Sequence, residues 1–293
     1  MASLKEIRER IKSVSSTKKI TSAMKMVSAA KLHKAEDSIA RFLPYKNKLT
    51  DVWVEYTSSI DEQVSSPLSE QRERKPVTIV CISSNTGLCG TFNSNINKLL
   101  NKTLESYRAQ GITEFSIIPI GKKISEQTKK LGFEIIGDYN ELSEKPNYDD
   151  ASEIAIKLVN DFLEKRTDEV VILYNHFKNA GVQEPTNELY LPMLPISQTE
   201  DKKVKQKLYF AEPDSTTFVN NLVPLVVRMR LYAALLDSNA AEHGARTTAM
   251  QVASDNAEKM IESITQLYNR ARQDVITNEL LDIVSGSEAL KNS

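Results

Sequence analysis

The 293-residue chain holds 38 Lys and Arg residues against 39 Asp and Glu residues, and this net charge of −1 excludes a general attraction to nucleic acid or to a membrane surface. Hydrophobic residues make up 40% and charged residues 26% of the chain, which is typical of a soluble protein with one large or two ordinary domains. The charge is uneven, because residues 1–50 hold twelve basic and four acidic residues, a net charge of +8. One end of the chain is therefore a basic arm.

The first 60 residues are predicted to form one long helix. Ser3 and Glu6 have the spacing of a capping box, and Pro44 is expected to bend the helix that follows. A helix of about 55 residues would be roughly 80 Å long, far beyond a globular helix. Apolar residues recur at the spacing of a coiled-coil seam, first at Leu4, Ile7, Ile11 and Val14 and then at Ile20, Met24 and Val27. The spacing is interrupted between the two sets, in the polar stretch 15–19.

A second long helix is predicted at the other end of the chain. Asp214 or Ser215 can cap its start, and helical sequence continues to about Val284. Its expected seam residues are Leu225, Met229, Tyr232 and Leu236, followed by Met250, Ala253, Ala257, Met260, Ile264, Leu267 and Ala271. We expect the two terminal helices to pair as an antiparallel coiled coil, so that cysteines placed near residues 20 and 260 would cross-link within one chain.

The middle of the chain alternates β-rich apolar runs with helical segments, which indicates βαβ units and a parallel sheet. The predicted strands are 76–84, 115–121, 133–137, 169–177 and 188–196, the last as an antiparallel edge strand, and the predicted helices are 91–109, 122–131 and 149–166. The sequence therefore predicts an α/β fold in which a long antiparallel coiled coil of N- and C-terminal helices carries an inserted Rossmann-like α/β domain. The predicted domains are 1–60, 76–210 and 212–290.

The stretch SSNTGLCGTFN at 83–93 follows a strand and opens a helix, where phosphate-binding loops lie. Gly87 and Gly90 are present, but the third glycine of a dinucleotide loop and the Gly-Lys-Ser/Thr of a P-loop are missing. A tight structural turn is the favoured interpretation. The alternative is an enzyme that binds a nucleotide at residues 85–91 and uses the helices as an arm.

Other candidate chemistry is sparse, and we predict no catalytic residue, no cofactor and no metal. His33, His176 and His243 lack the spacing of metal ligands to one another. Cys81 and Cys89 lack the second pair of ligands that a zinc site needs. Adjacent acids at 149–150 are expected to start a helix rather than to act as an acid pair. We expect the two cysteines to be reduced, and the chain to be cytosolic, with no signal peptide and no membrane span.

The basic arm is the strongest functional signal. Seven Lys or Arg residues and no acidic residue lie between Arg10 and Lys34. Solvated helix faces normally mix their charges, so this density of like charge indicates an acidic partner surface. A coiled-coil nucleic-acid binder is an alternative, but no aromatic residue is interleaved with the basic ones until Phe42.

Four stretches in three parts of the chain carry a close resemblance to a known family: SVSSTKKITSAMKMVSAAKL in the first helix, NTGLCGTFN after the first strand, and AEHGARTTAMQVASDNA and YNRARQDVITNELLDIVSG in the last helix. They resemble the γ subunit of F-type ATP synthase, the central rotor shaft, over the whole length of the chain. In the loop the sequence departs from the family, because Asn85, Thr86 and Thr91 stand where Asp, a basic residue and a second glycine are usual.

The resemblance implies a non-catalytic subunit that couples proton- or sodium-driven rotation of a membrane ring to conformational change in a catalytic hexamer. The implied partners are the α and β subunits of the hexamer, the ε subunit and the membrane c-ring, on the cytoplasmic face of a bacterial membrane. The tail 279–290 would lie in a hydrophobic bearing. The contacts with the hexamer that the resemblance implies are Lys18, Lys19, Met24, Lys25, Arg246, Gln273, Thr277 and Glu279.

Overall fold

The computed structural model describes residues 3–59, 67–70, 72, 76–193 and 215–291. Six helices, four strands and a short 3-10 turn (Pro67–Ser69) are defined within these ranges. In chain order the helices and strands are α1 (Leu4–Ser59), β1 (Pro76–Ile82), α2 (Phe92–Ala109), β2 (Glu114–Ile120), α3 (Lys122–Lys130), α4 (Asn140–Glu144), α5 (Tyr148–Leu163), β3 (Glu169–Asn179), β4 (Val182–Leu191) and α6 (Ser215–Lys291).

The two predicted long helices are confirmed, with 56 residues in α1 and 77 in α6. The capping box at the start of α1 is formed, because the Ser3 backbone nitrogen donates to Glu6 Oε2 at 2.9 Å and the Glu6 nitrogen donates to Ser3 Oγ at 3.3 Å. Helix α1 continues through Pro44, and α6 continues through Pro224.

A four-stranded sheet of order β2-β1-β3-β4 forms the predicted α/β domain. Strand β1 is parallel to both β2 and β3, while β4 is antiparallel to β3 at the edge. The predicted strand at 188–196 is thus confirmed as an antiparallel edge, although it begins earlier, at Val182, and residues 194–196 lie outside the described ranges.

The predicted strand at 133–137 is wrong. These residues lie between α3 and α4 without strand pairing. Gly132 and Gly137 bracket the segment with φ values of 83° and 88°, and such left-handed residues turn the chain at both ends. The apolar run has a different use, because Phe133 packs against the core beneath α2 and α3.

The described residues divide into two compact units, one drawn from Met1–Val27 and Thr247–Ser293 and the other from Ser28–Arg246. We call them the end unit and the domain unit. The predicted three-domain division at 1–60, 76–210 and 212–290 stays a prediction.

In the domain unit, alternate residues of β1 face two separate cores. Ile79 and its neighbours on one face pack against α2 and α3. Val80 and Ile82 on the other face pack with α5 and with the α6 residues around Val227. The second core also contains Trp53 of α1, so both long helices are integral parts of the domain. Within this unit Leu32 and Ala35 pack near Ala240, and Phe42 meets Tyr232 edge-on, so the helices are antiparallel there.

In the end unit, the predicted α1 seam residues Leu4 to Val14 are covered and Met24 is partly covered, but the covered stripe departs from the predicted one at Ile20 and Val27. Ile20 and Val27 are 60% and 58% exposed, whereas Lys18, Thr21 and Lys25 are the more covered residues. The covered positions keep a regular 3–4 spacing without a slip at Leu4, Ile7, Ile11, Val14, Lys18, Thr21 and Lys25. Polar residues are tolerated in this seam because lysine stems pack like apolar chains and the Thr21 hydroxyl donates to backbone oxygens of its own helix.

The α6 seam of the end unit is also shifted at two positions. Met250, Ala257 and Ile264 are buried as predicted. Met260 and Leu267 are 47% and 53% exposed, and the neighbouring positions 261 and 268 are more covered instead. From residue 272 to residue 287 every position of α6 is exposed.

Candidate functional site

The loop after β1 lies where open α/β sheets bind ligands. The chain leaves β1 through α2 towards β2, while β3 lies on the opposite side of β1, and a crevice forms where such connections diverge. In this structure α6 is packed there, because Ala241 and Ala245 form a buried cluster with Cys89 and Phe92, and the partly buried Phe177 packs against it. We call residues 237–246 of α6 the collar segment.

Arg246 binds the loop through its backbone oxygens. Its guanidinium donates to the oxygen of Gly87 and, at 3.5 Å, to that of Thr86. A phosphate-binding loop presents N–H groups to an anion, whereas these carbonyl groups point at a cation. The geometry favours the structural turn over the nucleotide site proposed as an alternative for 85–91.

The same guanidinium is paired with Glu242 at 2.7 Å, and the two residues are only 7% and 8% exposed. Burial raises the pKa of Glu242, and the neighbouring Arg246 opposes that change. A charge buried this deeply would be costly without a partner, so the two residues depend on each other.

Three further residues fasten the collar segment to other elements of the domain unit. Asp237 accepts from the Phe177 nitrogen at 2.9 Å and meets His176 Nδ1 at 2.6 Å. Asn239 donates to the Ser143 oxygen at 3.0 Å. Gly244 allows the β3–β4 turn to approach, because a Cβ there would lie 3.0 Å from the Phe177 ring and 3.2 Å from the Ala180 Cα.

His243 is buried inside this arrangement. Burial, reinforced by the nearby Lys31 and Arg246 cations, lowers the pKa of His243 to about 4, with Glu144 acting in the opposite direction. The imidazole is therefore neutral at physiological pH.

Part of the basic arm is neutralised within the chain itself. Lys18 pairs with Glu258 at 2.7 Å in the end unit, and Lys31 pairs with Glu144 at 3.2 Å in the domain unit. The acidic partners lie more than 100 residues away, which is why the local sequence gives no sign of them.

The predicted contact residues fall into three environments. Arg246 is buried and engaged inside the domain unit. In the end unit Lys18, Met24 and Lys25 are partly covered, and Lys19 is exposed. Gln273, Thr277 and Glu279 are exposed on the last part of α6. Sequence reasoning missed Asp237, Asn239 and Glu242 as anchors, because a polar residue on a long helix has no local signal that separates burial from solvation.

Other residues singled out from the sequence have structural roles. Both cysteines are buried as free thiols, and burial raises the pKa of Cys81. Asp149 and Asp150 lie in the first turn of α5, where the Asn147 side chain caps the Asp149 nitrogen at 3.0 Å. Among the described residues no cluster of His, Cys, Asp or Glu could hold a metal ion. No helix within the described ranges combines the length and the apolar character that a membrane span needs.

Comparisons with known proteins cover nearly the whole chain. A family model described as ATP synthase matches residues 3–290. The ATP synthase gamma chain of Bacteroides fragilis is 48% identical over 291 residues, covering 99% of this chain and 100% of the relative. The gamma chain of Phocaeicola vulgatus is 47% identical, with coverage of 99% and 100%.

Solved structures share the fold. A chain from the mitochondrial ATP synthase of Euglena gracilis (OSCP/F1/c-ring, rotational state 3) aligns with a TM-score of 0.66 and 19% identity over 98% of this chain and 94% of that chain. A chain from the central stalk and c-ring structure of the Tetrahymena thermophila enzyme aligns with a TM-score of 0.60 and 24% identity over 80% and 99%. With gamma chains matched over nearly their full length, and with both terminal helices and the inserted sheet in place, the chain belongs to the ATP synthase gamma chain family.

Proposed function

We propose that this chain is the central rotor shaft of an F-type ATP synthase. It couples ion-driven rotation of a membrane ring to conformational change in the catalytic hexamer and carries no catalytic site of its own. The observation that carries the proposal is the 48% identity to a gamma chain over nearly the full length of both chains. The crevice filled by α6 supports it further, since the position where an α/β enzyme would hold its ligand is taken by a helix.

The partners in this proposal are the α and β subunits of the hexamer, the ε subunit and the membrane c-ring. The end unit contacts the hexamer through Lys18, Lys19, Met24, Lys25, Gln273, Thr277 and Glu279, with the apolar tail 279–290 in a bearing. Support comes from exposure: Lys19 and the last part of α6 are open to a partner, and Leu280 and Leu281 are each 58% exposed. Arg246 was predicted as a further contact, but its 7% exposure argues for a role inside the chain.

The mechanism is a linkage between sites rather than chemistry on this chain. A shaft whose contacts differ among the catalytic subunits favours a different conformation of each subunit at each angle. Because such coupling is reciprocal, nucleotide hydrolysis turns the shaft, and a turned shaft changes nucleotide affinity. The chain thereby also regulates ATPase activity and ion flow. We further propose that it works on the cytoplasmic face of a bacterial membrane, as its bacterial relatives suggest.

A pull-down of the tagged chain from detergent-solubilised membranes tests the proposal. We expect α and β subunits in excess over the tagged chain, together with ATP hydrolysis. A chain that arrives alone and binds a nucleotide itself would overturn the proposal in favour of the enzyme alternative.

Charge reversal at Lys19 and Lys25 then tests the proposed contact surface. Lys18 is left unchanged, because its ammonium already pairs with Glu258 inside the end unit. We expect lower ATPase activity in the assembled complex. The matched control reverses Lys46 and Lys48, two exposed lysines of the same helix outside the proposed contact. An equal loss from both pairs would argue against a specific contact.

A further inference from the structure

We infer that Arg246 is a positioning residue that locks the loop 84–91 to the collar segment of α6, so that this loop and the collar segment transmit torque as one body. This inference rests on the proposed rotor function. It gives Arg246 a role within the chain that differs from a contact with the hexamer.

The loop is held in a conformation that it would not keep by itself. Leu88 at its tip has φ of 65°, a left-handed conformation that is costly for a residue with a side chain, and this side chain is 66% exposed. Such strain persists only where the surroundings fix the backbone. One end is fixed by Ser84, whose hydroxyl donates to the Thr86 oxygen at 2.7 Å and whose nitrogen donates to Asn93 Oδ1 at 3.1 Å.

Arg246 supplies the fastening between this loop and α6. From the collar segment it donates hydrogen bonds to two loop oxygens, those of Gly87 and Thr86. Glu242 holds the other side of the guanidinium at 2.7 Å. A planar guanidinium with several donors in a fixed fork can bind both at once, which a lysine ammonium does less well.

Hydrogen bonds matter at this position because the apolar contacts beside them do little to prevent sliding. The α6 residues in the neighbouring cluster are Ala241 and Ala245, whose methyl groups give area but little interlock. Apolar attraction is non-directional, whereas hydrogen bonds have a strong angular preference. A force that slides the loop along α6 would therefore be resisted at Thr86 and Gly87 by the Arg246 fork, in addition to the packing of Cys89 and Phe92.

The competing explanation is that Arg246 only neutralises the buried Glu242. Two variants separate these roles. Glu242→Gln removes the negative charge but leaves an amide oxygen that can accept from the guanidinium, so Arg246 keeps its donors to Thr86 and Gly87. Glu242→Gln combined with Arg246→Met also removes those donors, without leaving a buried charge unpaired. Asp255→Asn is the control, because Asp255 accepts from Gln251 at 2.7 Å on an exposed part of the same helix.

The first measurement is amide hydrogen exchange at residues 84–95 in the purified chain, where the nitrogens of Ser84, Phe92 and Asn95 donate to Asn93 Oδ1 and to the Cys89 and Thr91 oxygens. We expect severalfold faster exchange in the double variant, and exchange near that of the parent chain in Glu242→Gln and Asp255→Asn. Equal protection in the double variant and the parent would overturn the inference. This readout does not depend on the rotor function, so it separates failure of the inference from failure of the proposed function.

The second measurement uses the reconstituted complex and compares ATP-driven ion pumping with ATP hydrolysis. We expect the double variant to assemble and hydrolyse ATP but to pump severalfold less per ATP, while Glu242→Gln keeps the parent ratio. An unchanged ratio in the double variant, or an equal fall in Glu242→Gln, would overturn the role in torque. If the double variant does not assemble, Arg246→Lys is measured in its place. It keeps a cation beside Glu242 but loses the fork, so an unchanged ratio there also overturns the role.

Discussion

Helix α6 has two different surroundings along its length. In the domain unit, from Leu222 to Arg246, most of its positions are buried against the sheet, α5 and α1. In the end unit only a narrow stripe is covered, and beyond residue 271 all described side chains are exposed. The same helical backbone is thus held by a broad core in one region and by a thin seam in the other. Packing rather than helix propensity decides where α6 is strong.

The ion pairs of the two regions differ in the same way. Glu242–Arg246 and Lys18–Glu258 both span 2.7 Å, but their side chains are 10% and 9% exposed in the first pair and 56% and 35% exposed for Glu258 and Lys18 in the second. Equal distances therefore do not mean equal energies, because water screens the exposed pair and is excluded from the buried one.

Removal of Phe92 is expected to give the largest effect. Phe92 is 1% exposed between the loop after β1 and the collar segment. Phe92→Ala should lower the free energy of unfolding by about 3–5 kcal/mol through lost burial and a cavity. Urea denaturation followed by the fluorescence of Trp53, the single tryptophan, reports this change in the domain unit.

The matched control lies in the end unit. Leu267 is 53% exposed, so Leu267→Ala should change the free energy of unfolding by less than about 0.5 kcal/mol when unfolding is followed by circular dichroism. A loss at Leu267 as large as the loss at Phe92 would mean that the end unit has a core that its exposed surface does not reveal.

The pH dependence of the domain unit is expected to come largely from His243. Its pKa is about 4 in the folded chain against 6.5 for the free side chain, so the folded state disfavours the protonated form. The stability it contributes is complete above pH 6.5 and is lost as the pH falls towards 4, roughly 3 kcal/mol in total. Glu242 has a raised pKa, so its contribution changes in the opposite direction and offsets part of this loss.

His243→Gln tests this assignment. The charged groups near the imidazole are Lys31 of α1, Glu144 of α4, and Glu242 and Arg246 of α6. Urea denaturation between pH 7 and pH 4 should show a flatter dependence in the variant than in the parent chain. An unchanged slope would assign the pH dependence to other groups.

The sequence predicted the architecture well because strong periodic signals determine it. The capping box, the absence of glycine in the first helix and the β-rich runs separated by helical segments each led to the observed elements. The segment 133–137 failed because its apolar run is short and its bracketing glycines turn the chain. Local composition did not reveal that these residues cover a core instead of pairing.

The seam of the end unit was predicted less well for a different reason. Apolar periodicity selected Ile20 and Val27, but the covered stripe contains Lys18, Thr21 and Lys25. When a helix has two candidate stripes, contact with the partner helix decides which stripe is covered. Here the partner lies more than 200 residues away in the sequence. The proposed cysteine cross-link between residues 20 and 260 needs the same adjustment. Lys18 pairs with Glu258, so in an antiparallel pair residue 20 lies opposite a residue that precedes 258.

Substitution of Gly244 should have an intermediate effect on the free energy of unfolding, and it tests the difference between the domain unit and the end unit. In the sequence it is a weak point in a helix, and an alanine would normally stabilise an exposed helical glycine. Here a Cβ would lie 3.0 Å from the Phe177 ring and 3.2 Å from the Ala180 Cα. We expect Gly244→Ala to destabilise the domain unit by about 1–3 kcal/mol, measured by urea denaturation. Gly286 is the control, because the added methyl group of an alanine would meet no neighbouring atom within 4 Å there, and Gly286→Ala should not destabilise the chain.

The smallest effect is expected at the exposed ion pair of the end unit. A double-mutant cycle on Lys18→Met and Glu258→Gln should give a coupling energy of about 0.2–1 kcal/mol, falling as salt is added. Methionine keeps the apolar stem in the seam, so the cycle reports the charge interaction instead of lost packing. The same cycle on Arg246→Met and Glu242→Gln should give a larger, less salt-sensitive value, since that pair is screened from water. If the two coupling energies were equal, burial would not be what separates the collar segment from the end unit. The strength of α6 in the domain unit would then have to come from its apolar contacts alone.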